Sequence, residues 1–246
     1  VIRTFDIGGD KLPVGGFPAE ANPFLGWRAI RMCLDQPELF AVQLRALMRA
    51  AVHGDVRILL PLVVSVDEVR ATRTLLDAAA AELRARGTPH RADLPLGVMI
   101  ETPAAAVGAD ASAGHASFFS IGTNGLVQYT LAVDRGNVGL ADRFTPLHPA
   151  VLRLIDLVVQ AGARHGIDVG VCGEMASQPL MAFALLGLGL QNLSVAARAV
   201  PVVKRIVRGV RVERARAAAR EALACATAAE AEVVLHRALD EELGRV

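Results

Sequence analysis

Long apolar runs, a surplus of either charge and clustered cysteines are all missing from this 246-residue chain. Its apolar stretches are interrupted by Gly, Pro or a charge before about 18 residues, so no membrane insertion is expected. The opening segment, from Val1 to Lys11, lacks the basic start and apolar core of a signal peptide. A formal net charge of +1 predicts no nucleic-acid or membrane-surface footprint. The three cysteines, Cys33, Cys172 and Cys225, are far apart and form no CxxC pair. That excludes a disulfide framework or a zinc site and suits a reducing cytoplasm. An initiator Met is missing as well, which predicts a chain that begins part-way into a longer protein.

Core-forming material is plentiful: 53% of the residues are hydrophobic, enough for one large α/β domain or two small ones. Short apolar runs alternate with longer stretches of helical spacing. Strands are predicted at Val1–Asp6, Val56–Val64, Pro95–Glu101, Ser117–Gly122, Ile167–Glu174 and Asn192–Ala196. A Gly/Pro-rich loop over 7–26 leads into helical patterns at 27–34 and 37–52. Ser65, with Glu68 three residues on, predicts a capped helix start. Helices are also expected after Thr102-Pro103, over 148–166, over 178–189 and beyond Pro201.

Repeated strand–helix units with apolar strands predict a parallel sheet covered by helices. An open doubly wound sheet fits this pattern. A TIM-type (β/α)8 barrel fits better, because polar residues end strand after strand: Arg3/Asp6, Glu101, Asn124 and Cys172/Glu174. Barrel active sites sit at those carboxyl ends. Six strands fall two short of eight. The first two are therefore expected upstream of Val1, leaving residues 1–246 as one incomplete barrel with an apolar strand edge and core exposed.

The stretch Phe118–Asn137, FFSIGTNGLVQYTLAVDRGN, reads as a buried strand that breaks at Gly122 into a polar turn, Thr123-Asn124-Gly125. Asn-Gly is a strong turn signal on its own. Around it the expected rim gathers Arg3, Arg28 and Arg135, whose guanidinium forks match carboxylate and phosphate oxygens. Glu101 ends an apolar strand, where a carboxylate must be paired, protonated or bound to metal. Mg²⁺ takes one or two carboxylates plus substrate phosphate oxygens. Cys172 is placed to give or take a proton at a substrate carbon. Taken singly, each arginine also fits a surface ion pair, and Cys172 fits plain packing. Cys33 and Cys225 read as packing, His148 and His165 as cap or surface residues, and the Arg-rich run 208–223 as a solvated helix face.

Five segments together, RTFDIGGDK, NPFLGWRAIR, GVMIETPAAA, FFSIGTNGLVQYTLAVDRGN and GVCGEMA, resemble the phosphoenolpyruvate-binding barrel of enzyme I of the bacterial sugar phosphotransferase system. The resemblance runs in order along almost the whole chain; pyruvate phosphate dikinase and phosphoenolpyruvate synthase share a similar barrel. It implies that Arg3, Arg28 and Arg135 hold the phosphate and carboxylate of phosphoenolpyruvate, that Asn124 contacts the substrate, and that Glu101 is a Mg²⁺ ligand. It implies that Cys172 protonates the enolate carbon as pyruvate forms. It implies a phosphoryl path through a histidine on a separate N-terminal domain to the carrier protein HPr, a homodimer and a cytoplasmic location.

Two departures stand out. The family's turn reads Thr-Asn-Asp, its Asp being the second metal ligand; here that position is Gly125. The phosphohistidine domain and the upstream strands are also missing. The resemblance therefore leaves two expectations: a working part of a phosphoenolpyruvate–protein phosphotransferase, or a catalytically impaired, phosphoenolpyruvate-sensing relative. A dikinase-like enzyme and a Mg²⁺-dependent lyase are weaker alternatives. If Gly125 costs a ligand, Gly125→Asp is expected to raise Mg²⁺ affinity.

Overall fold

The computed structural model describes residues 1–7 and 20–244. Residues 8–11 of the RTFDIGGDK segment and most of the Gly/Pro-rich loop lie outside the described residues. The strands are β1 (Ile2–Arg3), β2 (Ile58–Leu60), β3 (Leu96–Ile100), β4 (Phe118–Gly122), β5 (Asp168–Cys172) and β6 (Asn192–Leu193). Every one falls inside a predicted run, trimmed at its ends. All pairings are parallel, and the spatial order β1-β2-β3-β4-β5-β6 is the chain order. A doubly wound sheet reverses direction at a switch point; this one never does. The chain forms the α/β half-barrel that the strand-end pattern favoured.

The helices are α1 (Ala29–Asp35), α2 (Pro37–Ala50), α3 (Val66–Ala85), α4 (Pro103–Val107), α5 (Ala109–Ala113), α6 (Thr123–Leu131), α7 (Pro149–His165), α8 (Pro179–Gly187), α9 (Val200–Gly209), α10 (Val212–Ala224) and α11 (Ala228–Leu243). Helix α3 starts with the capping box read from Ser65 and Glu68. His148 caps α7, its Nδ1 accepting from Ala150 N–H at 3.2 Å. The Ala-rich helix after Pro103 is two short helices instead of one, divided at Gly108, which serves as C-cap of α4 and N-cap of α5. In the tail, Arg211 pairs with Glu242 and Arg214 with Glu241. These partners come from the neighbouring helix, not from the next turn of the same one.

Strand side chains alternate between two faces. One set, including Ile58, Leu60, Leu96, Val98, Ile100, Phe119, Ile121 and Val171, joins the main core beneath the helices. The other set includes Leu59, Met99 and Phe118, which form a separate cluster with Cys172 packed against it. Apolar residues on both faces explain why the strands read as near-continuous runs. The expectation of an exposed barrel core needs correction. Val1 and Ile2 are exposed at the β1 edge, but Leu59, Met99 and Phe118 are each at most 5% exposed. Part of their cover is Arg57, whose guanidinium lies 4.3 Å from the Phe118 ring centre.

The largest local correction concerns Thr123-Asn124-Gly125. These residues are the first turn of α6, entered directly from β4. The Asn-Gly pair makes no chain reversal: the strand before it and the apolar Leu126 and Val127 after it, both buried, bind this segment into a β/α unit.

Candidate functional site

A cleft of about 790 Å³ opens on the inner face of the sheet. Arg3, Arg28, Glu101, Asn124, Gly125, Arg135 and Cys172 all line it. Six separated stretches of sequence meet there: five follow or end a strand of the sheet or begin the helix that comes next, and Arg135 lies in the loop after α6.

Arg28 is the N-cap of α1 and is buried. Its Nη2 lies 2.8 Å from Asp6 Oδ1, and Arg3 Nη1 lies 3.2 Å from Asp6 Oδ2. Asp6 thus ties two cleft arginines together. Burial, the largest single influence, works against the Arg28 charge, but the hydrogen bond to Asp6 and the charges of Asp6, Tyr129 and Glu101 together outweigh it and hold the guanidinium above its ordinary pKa. The guanidinium also lies 5.4 Å from the Phe24 ring centre. Arg28 Nε is buried with no hydrogen-bond partner among the described residues. A buried donor left unpaired costs stability.

Glu101 follows β3. Its Oε1 accepts from Leu62 N–H at 2.7 Å, and Leu62 itself has the left-handed φ of 57°. Burial pushes the Glu101 carboxyl above the usual range, against the pull of the Leu62 hydrogen bond; Asp6 adds to the rise while Arg3 and Arg28 oppose it. Beside Glu101, α6 begins with no side-chain cap. Its first backbone N–H groups are therefore unclaimed by a capping side chain, at the positive end of the helix dipole. Residue 125 faces Glu101 so closely that a β-carbon there would lie 2.8 Å from Glu101 Oε2.

Cys172 ends β5, beside Gly122 of β4. Ser120 Oγ donates to Cys172 Sγ at 3.2 Å, and Thr123 Oγ1 donates to the Cys172 carbonyl at 3.2 Å. Gly173 follows at φ 106°, where a β-carbon would crowd Thr123 Oγ1. Burial pushes the Cys172 thiol up; the Ser120 hydrogen bond offsets part of that. Arg135 is exposed, its backbone N–H donating to Gln128 Oε1 at 3.2 Å, and its guanidinium has no ion pair among the described residues.

A divalent ion finds little here from protein alone. Among the described residues no group of three or more His, Cys, Asp or Glu is placed to hold a metal. Asp6 lines the cleft but is engaged by Arg3 and Arg28. Glu101 remains as one carboxylate, which fits Mg²⁺ only when other oxygens complete the shell.

Sequence reasoning passed over Asp6 as the anchor of two arginines, Ser120 as the partner of Cys172, and Tyr129, whose hydroxyl donates to the Phe24 carbonyl at 2.6 Å. Strand parity carried a signal for one of them: Ser120 is two residues from Phe118 and from Gly122, on the face shared with Cys172. Nothing local marked Tyr129.

Three arginines, the covered carboxylates of Asp6 and Glu101 and an uncapped helix start thus line one strand-end cleft of an α/β half-barrel. Residues 1–212 match the model of a family described as PEP-utilising enzyme, PEP-binding domain, and the chain belongs to that family. It is 45% identical over 242 residues to the phosphoenolpyruvate-protein phosphotransferase of Haemophilus influenzae, covering 98% of this chain and 42% of that one. Against the protein of the same name in Staphylococcus carnosus it is 44% identical, covering 94% and 40%. Against that of Priestia megaterium it is 47% identical, covering 81% and 35%. The chain thus spans about two fifths of the length of the first two of these relatives.

Proposed function

We propose that the cleft binds phosphoenolpyruvate and that the chain is the phosphoenolpyruvate-binding part of a phosphoenolpyruvate–protein phosphotransferase. One observation carries this reading: Arg3, Arg28 and Arg135, the last with no ion pair among the described residues, line one cleft with the uncapped start of α6. The ligand they suit is small and multiply anionic. Guanidinium forks take carboxylate and phosphate oxygens two at a time. A helix N-terminus adds backbone donors for phosphate. In this reading Arg3, Arg28 and Arg135 hold the substrate, Asn124 contacts it, and Cys172 supplies the proton that turns the enolate into pyruvate.

Glu101 would be the protein's ligand for Mg²⁺, with substrate oxygens and water needed to complete the shell. When bound, the ion neutralises charge on the transferring phosphoryl group. The remaining parts of the proposal rest on the resemblance to enzyme I alone: transfer through a histidine to HPr, service to sugar uptake, a homodimer and a cytoplasmic location.

Calorimetric titration of phosphoenolpyruvate with Mg²⁺ into the full-length natural protein tests the reading. Heat of binding is expected, and Arg135→Ala is expected to abolish it. Absence of heat with the natural, folded protein overturns the assignment.

Gly125 favours a second reading, a phosphoenolpyruvate-sensing relative with impaired turnover, because the side-chain space at that position is taken by Glu101. Phosphorylation of HPr at the rate of the Haemophilus influenzae protein would exclude it.

A further inference from the structure

We propose that Ser120 is a positioning residue for Cys172: its hydroxyl holds Sγ by hydrogen bond and leaves the thiol hydrogen directed into the cleft. This deepens the phosphoenolpyruvate reading and rests on it for the identity of the carbon that receives the proton. Three observations support it. Ser120 and Cys172 lie on adjacent parallel strands, and both line the cleft. The side chains around them on that face, Leu59, Met99 and Phe118, are apolar and buried, so the Sγ–Oγ contact is a polar pair at the edge of an apolar floor. Finally, the donor role belongs to Ser120 Oγ, at 3.2 Å, which frees the sulfur's own hydrogen.

The step balances without a further reactant. The S–H bond of Cys172 breaks and a C–H bond forms at C3 of the enolate. The S–H electron pair stays on sulfur. The Ser120 hydrogen bond strengthens at that moment, because its acceptor has become an anion. Ser120 therefore favours the state after proton transfer more than the state before it. Glu101 and Arg3 also act on this thiol through charge, in opposite senses, Glu101 raising and Arg3 lowering its pKa.

Thiol alkylation reads this pair directly. Iodoacetamide is applied to the full-length natural protein across a range of pH, and Cys172 is followed by peptide mass spectrometry. Cys33 stays silent, since burial pushes its thiol up to about 12. Ser120→Ala is expected to move the Cys172 profile to higher pH and slow the reaction about tenfold at a pH below both midpoints. Ser120→Thr, which keeps the hydroxyl, is expected to restore the natural profile. An unchanged profile in Ser120→Ala, or equal shifts in both variants, overturns the proposal. Phosphoenolpyruvate as protectant addresses the separate reading of the site: a Ser120→Ala shift without protection keeps the pair and removes phosphoenolpyruvate as its ligand.

Discussion

The Glu101 carboxylate occupies the side-chain space of residue 125: a β-carbon on Gly125 would lie 2.8 Å from Glu101 Oε2, 2.9 Å from Glu101 Cβ and 3.2 Å from the Glu101 carbonyl. The carboxylate tip is a flexible group that turns aside at small cost. The Cβ and the carbonyl are fixed by the strand, so α6 and β3 must separate slightly to admit any side chain. Gly125→Asp therefore does more than add a ligand. Without a cation it crowds the strand end and sets two carboxylates against each other. We expect it to destabilise the protein by about 1–3 kcal/mol in chelator. Mn²⁺ or Mg²⁺ should return much of that, because an ion bound only by the native state shifts Tm upward. Thermal melts with and without metal check this; a variant equally unstable in both conditions refutes it. Gly125→Ala should show the loss without the rescue.

Arg135 and Arg28 should separate binding from folding. Arg135 is exposed and unpaired among the described residues, so Arg135→Ala should change stability by less than about 0.5 kcal/mol while removing phosphoenolpyruvate binding. Arg28 is buried against Asp6, whose side chain is also almost wholly covered. Arg28→Ala takes one partner from that covered carboxylate, leaving Arg3 beside it, and should cost roughly 2–3 kcal/mol as well as binding. Denaturant melts alongside calorimetry distinguish the two patterns.

The raised Glu101 pKa fixes the sign of a pH effect. The native state binds this proton more tightly than the unfolded chain, whose carboxyl titrates near its ordinary value of 4.5. The ionised carboxylate therefore costs stability above the native pKa, and the cost fades as pH falls through the native value toward 4.5. Glu101→Gln keeps an oxygen for the Leu62 N–H and removes the charge. It should melt above the natural protein in metal-free buffer near neutral pH, with the gap closing in acid. A constant gap across that window contradicts the assignment.

Tyr129 ties α6 to the segment that presents Arg28. Its hydroxyl donates to the Phe24 carbonyl, and the Phe24 ring lies under the Arg28 guanidinium. Tyr129→Phe should cost about 0.5–1.5 kcal/mol in stability. It should also weaken phosphoenolpyruvate binding indirectly, by loosening the segment behind Arg28, a change that calorimetry detects. Unaltered affinity would show that Arg28 keeps its place without the tie.

Much of this architecture was legible in the chain. Apolar runs located all six strands, since a strand covered on both faces reads as an unbroken hydrophobic segment. The capping box at Ser65 and Glu68 marked the start of α3 because its two hydrogen bonds join groups three residues apart. Strand-end polarity selected Glu101 and Cys172 for the cleft. The same local logic failed at Asn124-Gly125. Turn propensity there was overridden by burial of Leu126 and Val127, and the segment became the first turn of a helix. It failed at Pro103 too, where alanine spacing gave no sign of the division at Gly108.

The sequence by itself determined the order of strands and helices, the parallel half-barrel and the identity of the polar groups at the strand ends, because periodicity and strand termini are properties of neighbours along the chain. Only the tertiary structure decided how those groups meet. Asp6 bridging Arg3 and Arg28, Ser120 on Cys172, Tyr129 on Phe24 and Glu101 filling the space beside Gly125 are contacts between different strands, helices and loops. Such contacts depend on sheet register, helix placement and close packing, which no local pattern in the chain encodes.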